Sequence, residues 1–103
     1  MFKTKCIHTP TLENYLFVVK WAIDQNIFWS NSSNSINEDY WEDYRSKMYI
    51  IINVKDREYN YITYCSEEYA KSHYGKIIIS TEEFSSQIID IIRDKFKVKY
   101  DLK

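Results

Sequence analysis

Met48–Ser80, MYIIINVKDREYNYITYCSEEYAKSHYGKIIIS, is the stretch whose reading decides the fold. Met48 to Val54 and Tyr59 to Cys65 are rich in Ile, Val, Tyr and Thr, residues whose stiff or flat side chains suit a pleated surface. The polar Lys55-Asp56-Arg57-Glu58 between them makes the pair a hairpin. A symmetric turn there sets Val54 opposite Tyr59, Ile52 opposite Tyr61 and Ile50 opposite Thr63. One face then carries Met48, Ile50, Ile52, Val54, Tyr59 and Tyr61. The other carries Tyr49, Ile51, Ile62 and Tyr64, with Asn53 and Asn60. Two largely apolar faces predict a hairpin covered on both sides. The turn has no glycine, which favours a longer or bulged loop.

Downstream, Ser66 to His73 reads as a short helix opened by Glu67 and Glu68 and closed by Gly75. Ile77-Ile78-Ile79 is a continuous β-branched run and reads as a strand buried on both faces. Ser80-Thr81-Glu82-Glu83 is a capping box, with Ile79 and Phe84 in hydrophobic-staple positions. Phe84, Ile88, Ile91, Ile92 and Lys95/Phe96 continue a helical stripe. The tail KFKVKYDLK alternates, as a frayed end or a small edge strand does.

Upstream, Phe2 to His8 reads as a short strand with Phe2, Cys6 and His8 on one face and Ile7 on the other. Thr9-Pro10-Thr11 is a helix-start signal, in which either threonine serves as N-cap. Leu12, Tyr15, Leu16, Val19, Ala22 and Ile23 then recur at helical spacing. Asn26 is placed to end that helix in the left-handed conformation. Ile27-Phe28-Trp29 reads as a brief strand, and Ser30 to Asn37 is turn chemistry throughout. Glu38 to Tyr44 fits either one helical turn or an ordered loop. The expected fold is one α+β domain over residues 1–103. It is a single small sheet of three to five strands, including the 48–65 hairpin, packed by two main helices at about 11–25 and 81–96.

Composition narrows the function classes. A net charge of −1 gives no global attraction to nucleic acid or to an anionic membrane, so direct nucleic-acid binding is not expected. No apolar run is long enough to cross a bilayer. The N-terminal MFKTKCIHTP lacks the apolar core of a signal peptide, so the expected place is the cytoplasm, with reduced thiols. Ten tyrosines and an aromatic share of 17% supply either core or binding surface. Part of that excess follows from AT-rich codons, because Gly, Pro, Ala and Arg are scarce together.

Chemistry-bearing motifs are few. Cys6, His8, Cys65 and His73 are the thiol and imidazole groups, and they lack the paired two-to-four-residue spacing of a zinc site. No surrounding charge marks a thiolate nucleophile. A chain with one glycine cannot build the known phosphate loops. Arg93, Lys95, Lys97, Lys99 and Lys103 suit a helix C-terminus. The acids at 82–83 are explained by capping, and those at 67–68 by the helix dipole. Glu38, Asp39, Glu42 and Asp43 have no such structural reason. With Tyr40, Trp41 and Tyr44 among them they form a candidate partner-binding surface whose charge pattern imitates nucleic acid. The competing reading is a solvated loop with one or two aromatics tucked into the core. The expectation is therefore a non-enzymatic binder with no cofactor or metal.

Several features resemble the small accessory proteins of phages and prophages in low-GC Gram-positive bacteria. They are Thr9-Pro10-Thr11 leading to Glu13 and Tyr15, Trp21 and Trp29-Ser30, and the Ile/Tyr hairpin. Tyr74-Gly75-Lys76-Ile77 into Ser80-x-x-Glu83-Phe84 completes the set. Asn31 stands where such proteins often have glycine. The resemblance implies a counter-defence role. Proteins of this kind inhibit a host defence factor by contact, anti-CRISPR-like, or sequester nucleotide messengers as oligomeric sponges. It carries over no catalytic residue. A homo-oligomer belongs to the second alternative.

Overall fold

Thr11 opens the first helix: its side chain accepts a hydrogen bond from the Asn14 amide at 3.1 Å, satisfying a donor the helix leaves free. A computed structural model of the chain describes residues 3–54 and 60–89. Helix α1 (Leu12–Asp24) buries Tyr15, Val18, Val19 and Ala22, while Leu12, Leu16 and Ile23 flank the same core. It stops at Asn26, which takes φ 63°, the left-handed conformation read for it from sequence. Thr9, fully buried, returns both its amide and its hydroxyl to the Met48 carbonyl.

Among the described residues five strands form one mixed sheet in the order β2-β4-β3-β1-β5. They are β1 (Lys5–His8), β2 (Phe28–Trp29), β3 (Tyr49–Val54), β4 (Asn60–Cys65) and β5 (Ile78–Ser80). β1 runs antiparallel to β3 and parallel to β5, and β2 runs parallel to β4. The central β3 is covered on both faces, as its sequence predicts, with Tyr49, Ile50, Ile51 and Ile52 all buried. On one face α1 and a helix at 81–89, α4, enclose Ile7, Ile50, Ile52 and Ile62, with Phe84 edge-on to Trp21 at 5.2 Å. On the other face α3 (Glu67–Tyr74) covers a smaller cluster of Cys6, Tyr49, Ile51 and Ala70. The fold class is α+β.

The hairpin register differs from the sequence expectation by one residue. Val54 pairs with Asn60, Ile52 with Ile62 and Ile50 with Tyr64. Five residues, not four, separate the closing pair, and a slip of one turns every β4 side chain to the opposite face. Ile62 consequently lies fully buried beside Ile52, and Tyr61 and Thr63 turn toward the α3 side. Burying an isoleucine opposite an isoleucine, where the alternative register buries a tyrosine hydroxyl, removes apolar surface from water without an unsatisfied polar group.

Two further expectations are corrected. Ile77–Ile79 is not a strand buried on both faces: Ile78 and Ile79 are half-buried, Ile77 is 42% exposed, and among the described strands β5 lies at the edge. Among the described residues β5 pairs with β1 alone, so the run covers the flank of β1. Nor does Gly75 end α3 by a left-handed turn. Its φ of −47° is right-handed, and the chain tightens into a 3-10 turn, Gly75–Ile77. The capping of α4 at Ser80 stands, with the Glu83 amide donating to Ser80 Oγ at 3.0 Å and Ile79 and Phe84 packing in one core. The expected stripe positions beyond 89, the basic cluster 93–103 and Phe2 and Tyr59 lie outside the described residues.

Candidate functional site

The acidic segment is one turn of helix, α2 (Asp39–Glu42), set over the rim of the sheet. Its two central aromatics are mounts. The Trp41 indole donates to the Thr9 carbonyl at 3.3 Å, and Tyr40 stacks on Tyr64 of β4 with ring centroids 5.0 Å apart. Tyr40 also meets Trp29 edge-on at 5.1 Å, an arrangement that satisfies the ring quadrupoles. Both side chains are half-buried against the main core.

The remaining members face outward. Glu38, Asp39, Glu42 and Asp43 are exposed, and Tyr44 is 40% exposed. Glu42 pairs with Arg45 at 2.7 Å, and the Tyr64 hydroxyl donates to Asp43 Oδ2 at 2.7 Å. That bond to a carboxylate, followed by partial burial, pushes the Tyr64 phenol up to about 12. The Asn37 side chain accepts from the Asp39 amide at 2.9 Å and orders the entry to the turn. At the exit Arg45 takes φ 48°, a conformation a non-glycine residue adopts at a cost of about 1 kcal/mol. The segment is thus built with a defined shape at both ends.

Beside it the structure forms a groove that the sequence does not announce. Five tyrosines, Tyr44, Tyr61, Tyr64, Tyr69 and Tyr74, line a cavity of about 500 Å³ floored by Ile51, Asn53, Thr63 and Cys65. A second cavity of about 290 Å³ shares Thr63 and Tyr64 and is closed by Trp29, Ser30, Asn31 and Tyr40. Among the described residues no charged side chain lines either one. The two cavities flank the same piece of β4.

The thiols and imidazoles do not assemble. Cys6 and Cys65 share the α3-side cluster as free cysteines, and burial pushes their thiols up to about 12 and about 11. Both are therefore protonated at neutral pH, the state of an inert thiol. His8 stacks on Tyr49 and bonds the Ser46 carbonyl through Nε2, while His73 stacks on Tyr69. Among the described residues no three His, Cys, Asp or Glu groups come together as a metal site. None of their helices is long and apolar enough to cross a membrane.

No protein-family model, curated protein or solved structure matches the chain.

The tyrosine groove is hidden in the sequence because its members come from three separate elements. Tyr61 and Thr63 join it only in the observed register. The bound α2 carboxylate at Asp43 is equally unreadable, since it depends on the distant Tyr64. A usable signal was the tyrosine content of 59–74, where Tyr59, Tyr61, Tyr64, Tyr69 and Tyr74 crowd together.

Proposed function

We propose that the protein is a non-enzymatic inhibitor that binds a partner protein through the acidic turn 38–44. The supporting observation is the division of labour within that turn. Tyr40 and Trp41 anchor the turn to the core, and Glu38, Asp39, Glu42, Asp43 and Tyr44 are exposed on it, with Asp43 held by the Tyr64 hydroxyl and Glu42 by Arg45. A turn whose backbone is anchored this way loses little entropy on binding, and its excess of negative charge steers a basic partner and disfavours acidic ones. A partner that handles nucleic acid carries a basic groove, and an ordered row of carboxylates competes for it. The phage-type resemblance makes a host defence effector the partner class. The nucleotide-messenger reading needs cations beside the aromatic rings, and among the described residues neither cavity is lined by one. Capture of a partner from host lysate by the parent chain, compared with a chain in which the four acids are replaced by lysine, tests the proposal.

A further inference from the structure

We infer that the open edge of β4 at Tyr64 receives an extended segment of the partner as an added strand, its basic and apolar residues alternating. The inference rests on the proposed acidic contact surface and adds the mode of binding and the partner's chemistry.

Among the described residues β4 is paired on its outer side at Tyr61 and Ile62, by the two residues of β2. The chain then turns away: the Ser30 amide still donates to the Ile62 carbonyl at 3.1 Å, and Ser32 takes φ 69°. In a strand the N–H and C=O of one residue point the same way and alternate along the chain. Since the Ile62 carbonyl points outward, the Tyr64 N–H and C=O do as well. Among the described residues no backbone group meets them. An unpaired edge is a template for one more strand.

The surroundings select the occupant. Side chains of an added strand alternate between the two faces of the sheet. Those on the α3 face enter the uncharged tyrosine-lined groove, which suits apolar or aromatic groups. Those on the other face reach toward α2, where Glu38, Asp39 and Asp43 carry no ion pair among the described residues. Of the nearby described cations, Arg45 and Lys71 are engaged, with Glu42 and Glu67, while Lys47 lies on the Glu67 side and not in the groove lining. Period-two alternation of basic and apolar residues meets both faces at once. Pairing of two copies edge to edge would set one acidic turn against another, which like charges oppose. Nucleic acid finds no cation among the described residues that line the groove.

The test uses the full chain and fluorescent heptapeptide pools. One pool has lysine at alternate positions with Val, Tyr or Phe between; a second has glutamate in place of lysine. A third repeats the lysine pool with N-methyl groups at alternate residues, removing strand donors. The expected result is saturable binding of the lysine pool, slowed hydrogen exchange at the Tyr64 amide, and no binding of the glutamate pool. N-methylation in the register that faces Tyr64 weakens binding about tenfold, the worth of one or two hydrogen bonds. Absence of lysine-pool binding overturns the inference. Binding that ignores N-methylation and leaves Tyr64 exchange unchanged overturns strand addition while the acidic surface stands. Self-association of the free chain that the lysine pool disperses would put a second copy on the edge and overturn the assignment to a partner.

Discussion

The Tyr64 hydroxyl reaches Asp43 Oδ2 at 2.7 Å and ties the acidic turn to the strand whose edge lies beside it. One hydrogen bond therefore joins the two halves of the proposed contact surface. Replacing Tyr64 by Phe removes it while keeping the ring that stacks on Tyr40. The expected cost is about 1 kcal/mol of stability by chemical denaturation, the usual worth of such a bond. Asp43→Asn removes the charge, so the Tyr64 phenol, held up to about 12, falls back toward its ordinary value in an ultraviolet phenolate titration.

Alkaline stability follows from the same groups. Burial raises the Cys6 thiol to about 12 and the Cys65 thiol to about 11, and the carboxylate bond raises Tyr64 to about 12. Each holds its proton more tightly folded than unfolded. Their stabilisation is complete below the unfolded pKa values, near 9 for the thiols and 10 for the phenol, and is lost as pH rises through the folded ones. Denaturation midpoints should stay level up to about pH 9 and fall between about pH 9 and 12, and less steeply in Cys6→Ala.

The register is checked by truncation. Ile62 is fully buried opposite Ile52, so Ile62→Ala should cost about 2–4 kcal/mol. Thr63 faces the open tyrosine groove, so Thr63→Ala should cost less than about 1 kcal/mol. The four-residue turn predicts the reverse order of burial, and equal or inverted costs by denaturant melting would contradict the observed pairing.

These comparisons show where sequence reasoning stops. Local signals are legible: Thr11 and Ser80 cap their helices, and Asn26 takes φ 63°. Those choices are set by a residue's own side chain and backbone. The hairpin register is not local, because one residue more or less in a polar loop leaves both strands looking the same. Ile78 and Ile79 read as buried on both faces because a short apolar run carries no record of how many neighbours it has. The acidic turn was legible as an unexplained segment, but the mounting of Tyr40 on Tyr64 and of Trp41 on the Thr9 carbonyl depends on distant residues.

Asn26 offers a backbone test. Its φ of 63° is open to glycine and strained for a β-branched residue. Asn26→Gly should leave thermal stability nearly unchanged, while Asn26→Val should cost about 1–2 kcal/mol. Equal Tm values for the two variants would contradict the assigned helix stop.

The central claim is that the carboxylates at 38–43 make the partner contact and leave the fold alone. The direct measurement compares partner capture and Tm for the parent chain and for E38K/D39K/E42K/D43K. All four positions are exposed, but Asp43→Lys also removes the bond from the Tyr64 hydroxyl, so Tm should fall by about 4–8 °C with cooperative unfolding retained. Capture by the variant should be lost, and capture by the parent should weaken as salt rises. Undiminished capture by the folded variant would contradict the account.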